Sequence, residues 1–270
     1  MIFERLLLSG IMALAVAGLG YCNRARADDI TDATARLNYI TYNSIYIDQV
    51  GSGNTVNVTQ NGINGVAGVG ANSMPVQGDG NTITIKQGDA SSTGGKNLVE
   101  GAVYGSYNTI LANQSVDVNG IGAGVDQGQH YQLINVTGTG NQVTTDQTNT
   151  GAGGHYLSTT VNGNYNTVNA SQSDNTAKSA TINVNGDLNN VLTNQSGTGA
   201  HNLSVNLLGN GNSATVNQSG PTANNANISI TNAGGPGNVN LTQTGGQNYY
   251  INTVCVQAGG CAPITVRQGN

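Results

Sequence analysis

From Asn54 onward the chain repeats one seven-residue phrase with a carboxamide at each end: Asn54 to Gln60 (NTVNVTQ), Asn81 to Gln87 (NTITIKQ), Asn108 to Gln114 (NTILANQ), Asn141 to Gln147 (NQVTTDQ), Asn166 to Gln172 (NTVNASQ), Asn189 to Gln195 (NNVLTNQ) and Asn212 to Gln218 (NSATVNQ). Residues six apart share one face of a strand, so each Asn and Gln points the same way as the aliphatic pair between them, such as Val56 and Val58. Buried carboxamides need partners. Stacking such strands about 4.8 Å apart supplies them, because equivalent Asn side chains then form one ladder and equivalent Gln side chains another. Two looser copies follow, ending at Gln243 and Gln268, with Asn238 one place late in the first and Ala262 in the Asn place of the second. Nine copies are readable, and the chain is expected to be a repeat protein.

Eleven residues before each marked Asn a partner strand begins, as in NSIYIDQ (Asn43 to Gln49) before Asn54, with VGSG as the turn. The same offset sets units over 43–60, 97–114, 130–147, 155–172, 178–195, 201–218, 226–243 and 251–268, and a second unit over 72–87 is two residues short. The turns VGSG, TGTG, NGNY, NGDL and LGNG carry the Gly and Asn that reversals with positive φ require. Links between units range from five residues after Gln172 to fifteen after Gln114, the pattern of a solenoid that accepts insertions at one corner. The expected fold is all-β: a β-solenoid of about nine stacked strand-turn-strand repeats over residues 43–270, cross-β on assembly.

Charged residues are only 8% of the 270, Trp is absent, Phe3 is the one Phe and Gly reaches 40. The core must then be built from Val, Ile, Leu and Ala, which suits a thin interior. Met1 to Ala27 differs from the rest: a mainly apolar run from Leu6 to Leu19 precedes Ala25-Arg26-Ala27, an A-x-A cleavage site. This reads as a secretory signal peptide. Tyr21 is too bulky for the position before a lipoprotein Cys22. Removal of Glu4, Arg5, Arg24 and Arg26 takes 13 acidic and 8 basic residues to 12 and 5, a net −7 that argues against nucleic acid as a partner. Cys255 and Cys261 remain in the exported chain, where an oxidising compartment favours a disulfide across the turn Ala258 to Gly260. Asp28 to Tyr42 is read either as a cap on the stack or as a segment recognised by a secretion channel.

The run NSIYIDQVGSGNTVNVTQ (Asn43 to Gln60) resembles the curlin repeat, S-x5-Q-x4-N-x5-Q, with Asn in place of the leading Ser. The resemblance extends over roughly Asn43 to Gln268. It implies a subunit of curli-type surface fibres, either the major subunit or the nucleator. It further implies head-to-tail assembly into extracellular amyloid used in adhesion and biofilm matrix, with other curli subunits and the curli secretion machinery as partners. The first strand departs from the family pattern, since Gln stands at its end only at Gln49, Gln77 and Gln257. Val103, Val136, Val161, Val184 and Leu207 take that place elsewhere, so one amide ladder is expected to give way to aliphatic packing.

His130, His155 and His201 all open a first strand, but Lys178 interrupts the column, so they are read as polar corner residues rather than metal ligands. Asp146, Asp174 and Asp187 lie at unmatched positions without paired carboxylates, which argues against a glycan-cleaving enzyme. No cofactor motif occurs. Thr82 and Thr84 form one T-x-T, as an ice-binding face would, but the equivalent Asn190 and Leu192 break the column. The alternative to a fibre subunit is a soluble, capped β-solenoid acting as an ice-binding or adhesin module.

Overall fold

A computed structural model of the chain describes residues 37, 40, 43–61, 65–68, 73–88, 96–114, 129–149, 153–232 and 234–269. Residues 1–27, read above as a signal peptide, and nearly all of Asp28–Tyr42 lie outside them. The architecture belongs to the unit Ile40–Asn270. It is a β-solenoid of two parallel sheets. One sheet stacks nine strands in chain order: Thr55–Gln60, Thr82–Gln87, Thr109–Gln114, Gln142–Gln147, Thr167–Gln172, Asn190–Gln195, Ser213–Ser219, Asn238–Thr244 and Ile264–Gln268. The path therefore makes eight full turns from the first of these strands to the ninth, and each level is called a coil below. Facing it, the other sheet stacks the first strands of the coils, among them Lys96–Tyr104, Gln129–Thr137, Tyr156–Asn162 and Ser179–Asn185.

Register follows the sequence phrase. Val56 pairs with Ile83 and Gln60 with Gln87, and the same in-phase match recurs to Gln243 with Gln268. Side chains alternate between core and solvent with period two: in Thr167–Gln172, Val168, Ala170 and Gln172 are buried while Thr167 and Asn169 are exposed. Between the sheets runs one continuous aliphatic column that includes Ile83, Ile110, Ile134, Val161, Ile182, Leu203, Val216 and Leu241. A one-residue slip of any strand would expel its share of that column and its amides together, which is why the register is so strongly specified.

Each tight turn uses Gly at its second place, Gly51, Gly78, Gly105, Gly138, Gly163, Gly186 and Gly209, with φ from +99° to +131°. The reason is close approach as well as dihedral. A Cβ on Gly163 would stand 2.0 Å from the carbonyl oxygen of Gly186 in the next coil, so the turns can stack at strand spacing only without side chains there.

Three boundaries differ from the sequence reading. In coil two the first strand is split, Gly65–Ala67 and Met74–Gln77, so an insertion interrupts the strand itself and the unit does not begin at Asn72. In coil eight Asn225 pairs with Asn202, and in coil nine Asn248 pairs with Asn225. The corner residues there are therefore Asn224 and Gln247, not Ala226 and Ile251. The eleven-residue offset fails because these coils have longer reversals, one containing Pro236 and the other closed by a disulfide. Val76, not Gln77, pairs with Val103, so Gln77 is exposed, and Gln257 lies beyond the strand Asn248–Cys255. Of the three first-strand Gln residues only Gln49, paired with Val76, occupies that inward column.

Candidate assembly site: the amide ladders and the ends of the stack

Asn81, Asn108, Asn141, Asn166, Asn189 and Asn212 are buried, as are Gln87, Gln114, Gln147, Gln172, Gln195, Gln218 and Gln243; Asn54, Gln60 and Gln268, in the end coils, are half-buried. The two columns are built differently. In the Asn column, from Asn81 to Asn189, each Nδ2 donates backward: Asn81 to Asn54 Oδ1 at 3.1 Å, Asn108 to Asn81 at 3.0 Å, Asn141 to Asn108 at 3.0 Å, Asn166 to Asn141 at 3.0 Å and Asn189 to Asn166 at 3.1 Å. The accepting oxygen also takes the backbone N–H of the Asn above it, as Asn166 Oδ1 does from Asn189 N at 2.9 Å. A second Nδ2 hydrogen reaches a turn glycine of the next coil, Asn141 to Gly163 O at 2.8 Å and Asn189 to Gly209 O at 2.8 Å. Each carboxamide thus fastens its neighbours and the adjoining turn.

In the Gln column the direction is reversed. Nε2 donates forward, from Gln60 to Gln87 Oε1 at 2.9 Å, Gln147 to Gln172 at 2.9 Å, Gln195 to Gln218 at 2.9 Å and Gln243 to Gln268 at 3.2 Å. The other Nε2 hydrogen crosses to the opposite sheet: Gln114 to Leu98 O at 3.0 Å, Gln147 to Tyr131 O at 3.0 Å and Gln172 to Tyr156 O at 2.9 Å. The opposed directions set the two side-chain dipole arrays against each other across the core. Neither the cross-sheet bonds nor the polarity of the ladders is visible in a one-dimensional pattern.

The columns end at different places. The Asn ladder stops at Asn212, because Gly237 holds the next position and donates its N–H to Asn212 Oδ1 at 2.9 Å, while Asn212 Nδ2 is buried without a partner. Asn238, one place on, is exposed. The Gln ladder continues to Gln268 in the last coil.

A corner column that the sequence reading had only as polar residues holds two short ladder segments, one on each side of Lys178. His201 Nε2 lies 2.7 Å from Ser196 O, and its Nδ1 accepts the Asn224 N–H at 3.1 Å. Asn224 repeats the arrangement with its carboxamide, donating to Ser219 O at 2.8 Å and accepting from Gln247 N at 2.9 Å. His130 Nδ1 accepts His155 N at 3.3 Å, and His155 Nε2 lies 3.1 Å from Thr148 O. A neutral imidazole with its proton on Nε2 therefore imitates Asn. Burial, then the charges of His130 and Lys178, hold His155 well below the ordinary histidine range, and burial lowers His201 too. Lys178, buried between them, donates to Gly197 O at 2.8 Å and is pushed by burial down to about 8, against the pull of Asp174. No cluster of three metal-ligating side chains occurs among the described residues.

In the last coil Cys255, fully buried, is bonded to Cys261, their Cα atoms 5.6 Å apart. The bridge closes the reversal before Ile264–Gln268. In coil four the core admits a polar pair the alternation did not announce: Gln132 points inward, donates to Asn113 O at 2.9 Å and accepts from Thr145 Oγ1 at 2.9 Å.

At the two ends the backbone is polarised. Outward residues donate to the next coil, as Thr55 N does to Asn81 O and Thr167 N to Asn189 O, each at 2.8 Å. By the same rule Thr265 and Arg267, outward in Ile264–Gln268, aim their N–H and C=O groups past the final coil. At the other end Ile45 is 52% exposed although its partner in the next coil, Ala67, is wholly buried. No protein-family model matches the chain, and comparison with curated proteins and with solved structures returned no match.

Proposed function

We propose that the chain is a secreted structural subunit whose copies stack end to end into an extracellular cross-β fibre for adhesion and biofilm matrix, as its curlin-like repeat implies. The observation that carries this reading is the Gln column, which runs the length of the stack and leaves Gln268 Nε2 directed at the C-terminal end with no acceptor among the described residues. The backbone groups of Thr265 and Arg267 face the same way. An end that offers donors to a next coil, on a molecule built of stacked parallel coils in one register, makes a heterologous contact that propagates without closing. The half-open apolar end at Ile45, Val56 and Val58 offers a complementary surface. Export, with a mature chain beginning at Asp28, and partnership with other fibre subunits and their secretion machinery belong to the same reading.

The test is growth at the C-terminal end. Thr265→Pro removes one edge donor and fixes φ near −65°, but takes no bond from the stack below it. Mature parent protein should form fibres on incubation, seen by electron microscopy, and should seed thioflavin-positive growth. The variant should show parental circular dichroism when fresh and should seed poorly. A variant that elongates like the parent, or a parent that stays monomeric, overturns the proposal. The second outcome favours a capped adhesin or ice-binding solenoid, which thermal hysteresis separates.

A further inference from the structure

The fourth turn position lies in the left-handed region in every regular coil, and Gly53, Gly80, Gly140 and Gly211 occupy it with φ from +66° to +70°. Tyr107, Tyr165 and Leu188 take the same conformation, with φ of 58°, 55° and 60°. An L side chain is strained there, most of all a bulky one. Burial does not offset the strain, because these three residues are 68%, 62% and 64% exposed. Glycine would serve the fold better, so the side chains are best explained by what they present to solvent.

Their arrangement is regular. A Cβ at Gly80 would stand 2.8 Å from both Cδ1 and Cε1 of Tyr107, and a Cβ at Gly140 would stand 2.7 Å from the same two atoms of Tyr165. Each ring therefore leans on a glycine one coil back, in the same pose. Two coils separate them, about 9.6 Å at strand spacing, with Gly140 leaving the level between them open. Leu188 continues the row in the next coil. Beside it, the exposed amides of Gln77, Asn162 and Asn185 end the first strands of their coils. The only charges in these turns are Asp79 and Asp187, both negative.

We propose that this turn edge binds an extended, uncharged β-linked glycan. Tyr107 and Tyr165 stack on alternate sugar rings, Leu188 extends the apolar contact, and the flanking amides meet ring hydroxyls. Aromatic faces with a few convergent polar groups are the chemistry that recognises a pyranose, and the two-coil step spans two sugar units of a straight chain. The carboxylates disfavour an anionic polymer, and would oppose each other if two copies met through this edge. The row lies along the side of the stack, so its role does not depend on assembly.

The experiment uses the mature chain with cellohexaose in solution and with microcrystalline cellulose, with dextran and alginate as the α-linked and anionic comparisons. The Tyr107→Gly/Tyr165→Gly variant carries the residue that other coils use, and circular dichroism checks that its fold is kept. The parent should bind cellohexaose and cellulose, and the double variant should bind about tenfold or more weakly, the loss of two stacking contacts. A parent that ignores both β-glucans, a variant that binds them like the parent, or equal retention by dextran or alginate overturns the proposal. So does a variant whose only change is altered side-by-side bundling of copies.

Discussion

Truncating Asn166 to Ala separates the ladder from ordinary packing. Its Oδ1 accepts from Asn189 N at 2.9 Å and Asn189 Nδ2 at 3.1 Å, and its Nδ2 donates to Asn141 Oδ1 at 3.0 Å. After truncation Asn141 Oδ1 still holds the backbone N–H of residue 166, and Asn189 Nδ2 still holds Gly209 O. The Asn189 N–H is left with nothing. One buried donor orphaned costs about 1–3 kcal/mol, and the two side-chain bonds lost with it, at about 0.5–1.5 kcal/mol each, bring the total to about 2–6 kcal/mol. Thr167, the next residue, is exposed, so Thr167→Ala should stay within about 0.5 kcal/mol. Hydrogen exchange resolves the effect by residue: the Asn189 amide in Asn166→Ala should exchange about 5- to 140-fold faster, with little change in distant coils. The Gln column gives a parallel case, since Gln172→Ala frees both the Gln147 Nε2 bond and the cross-sheet bond to Tyr156 O. Equal cost for Asn166→Ala and Thr167→Ala, or an unchanged Asn189 amide, would refute the ladder as a source of stability.

Acid should loosen the middle coils. His155 and His201 have folded pKa values below the unfolded 6.5, so the unfolded chain binds more protons between the two values; stability is full above about pH 6.5 and falls as pH drops through that window. His155→Asn/His201→Asn keeps a carboxamide of the kind Asn224 already supplies, and should flatten the dependence of the urea midpoint on pH; an unchanged slope contradicts the assignment. Reduction of Cys255–Cys261 reopens a short loop and should destabilise the last coil by about 2 kcal/mol, read as faster exchange over Asn248–Gln268 with coils three to seven unaffected. Uniform loss of protection along the stack would show instead that the ends and middle unfold as one. Val191→Pro, which breaks an interior ladder between Thr167–Gln172 and Asn190–Gln195, should abolish folding as judged by circular dichroism of fresh protein.

The sequence by itself determined the all-β solenoid, the inward face of each second strand and the identity of both amide columns. It could do so because a period of two within strands and a fixed spacing between Asn and Gln are one-dimensional signals. Tertiary structure decided whatever depends on which coil lies above which. The corner column is one case: Ala226 fits the offset, but only pairing of Asn225 with Asn202 shows that Asn224 holds the corner. Gln77 is another, since a split strand moved it outward without changing the letters around it. Histidine and asparagine share no pattern in a sequence, yet at 201 and 224 they make the same pair of bonds, because a stacked backbone asks for one acceptor facing the next coil and one donor facing back along the chain. The reversed polarity of the Asn and Gln ladders at the two edges of one sheet, and hence the donor that Gln268 presents at one end, is likewise visible only in the stacked structure.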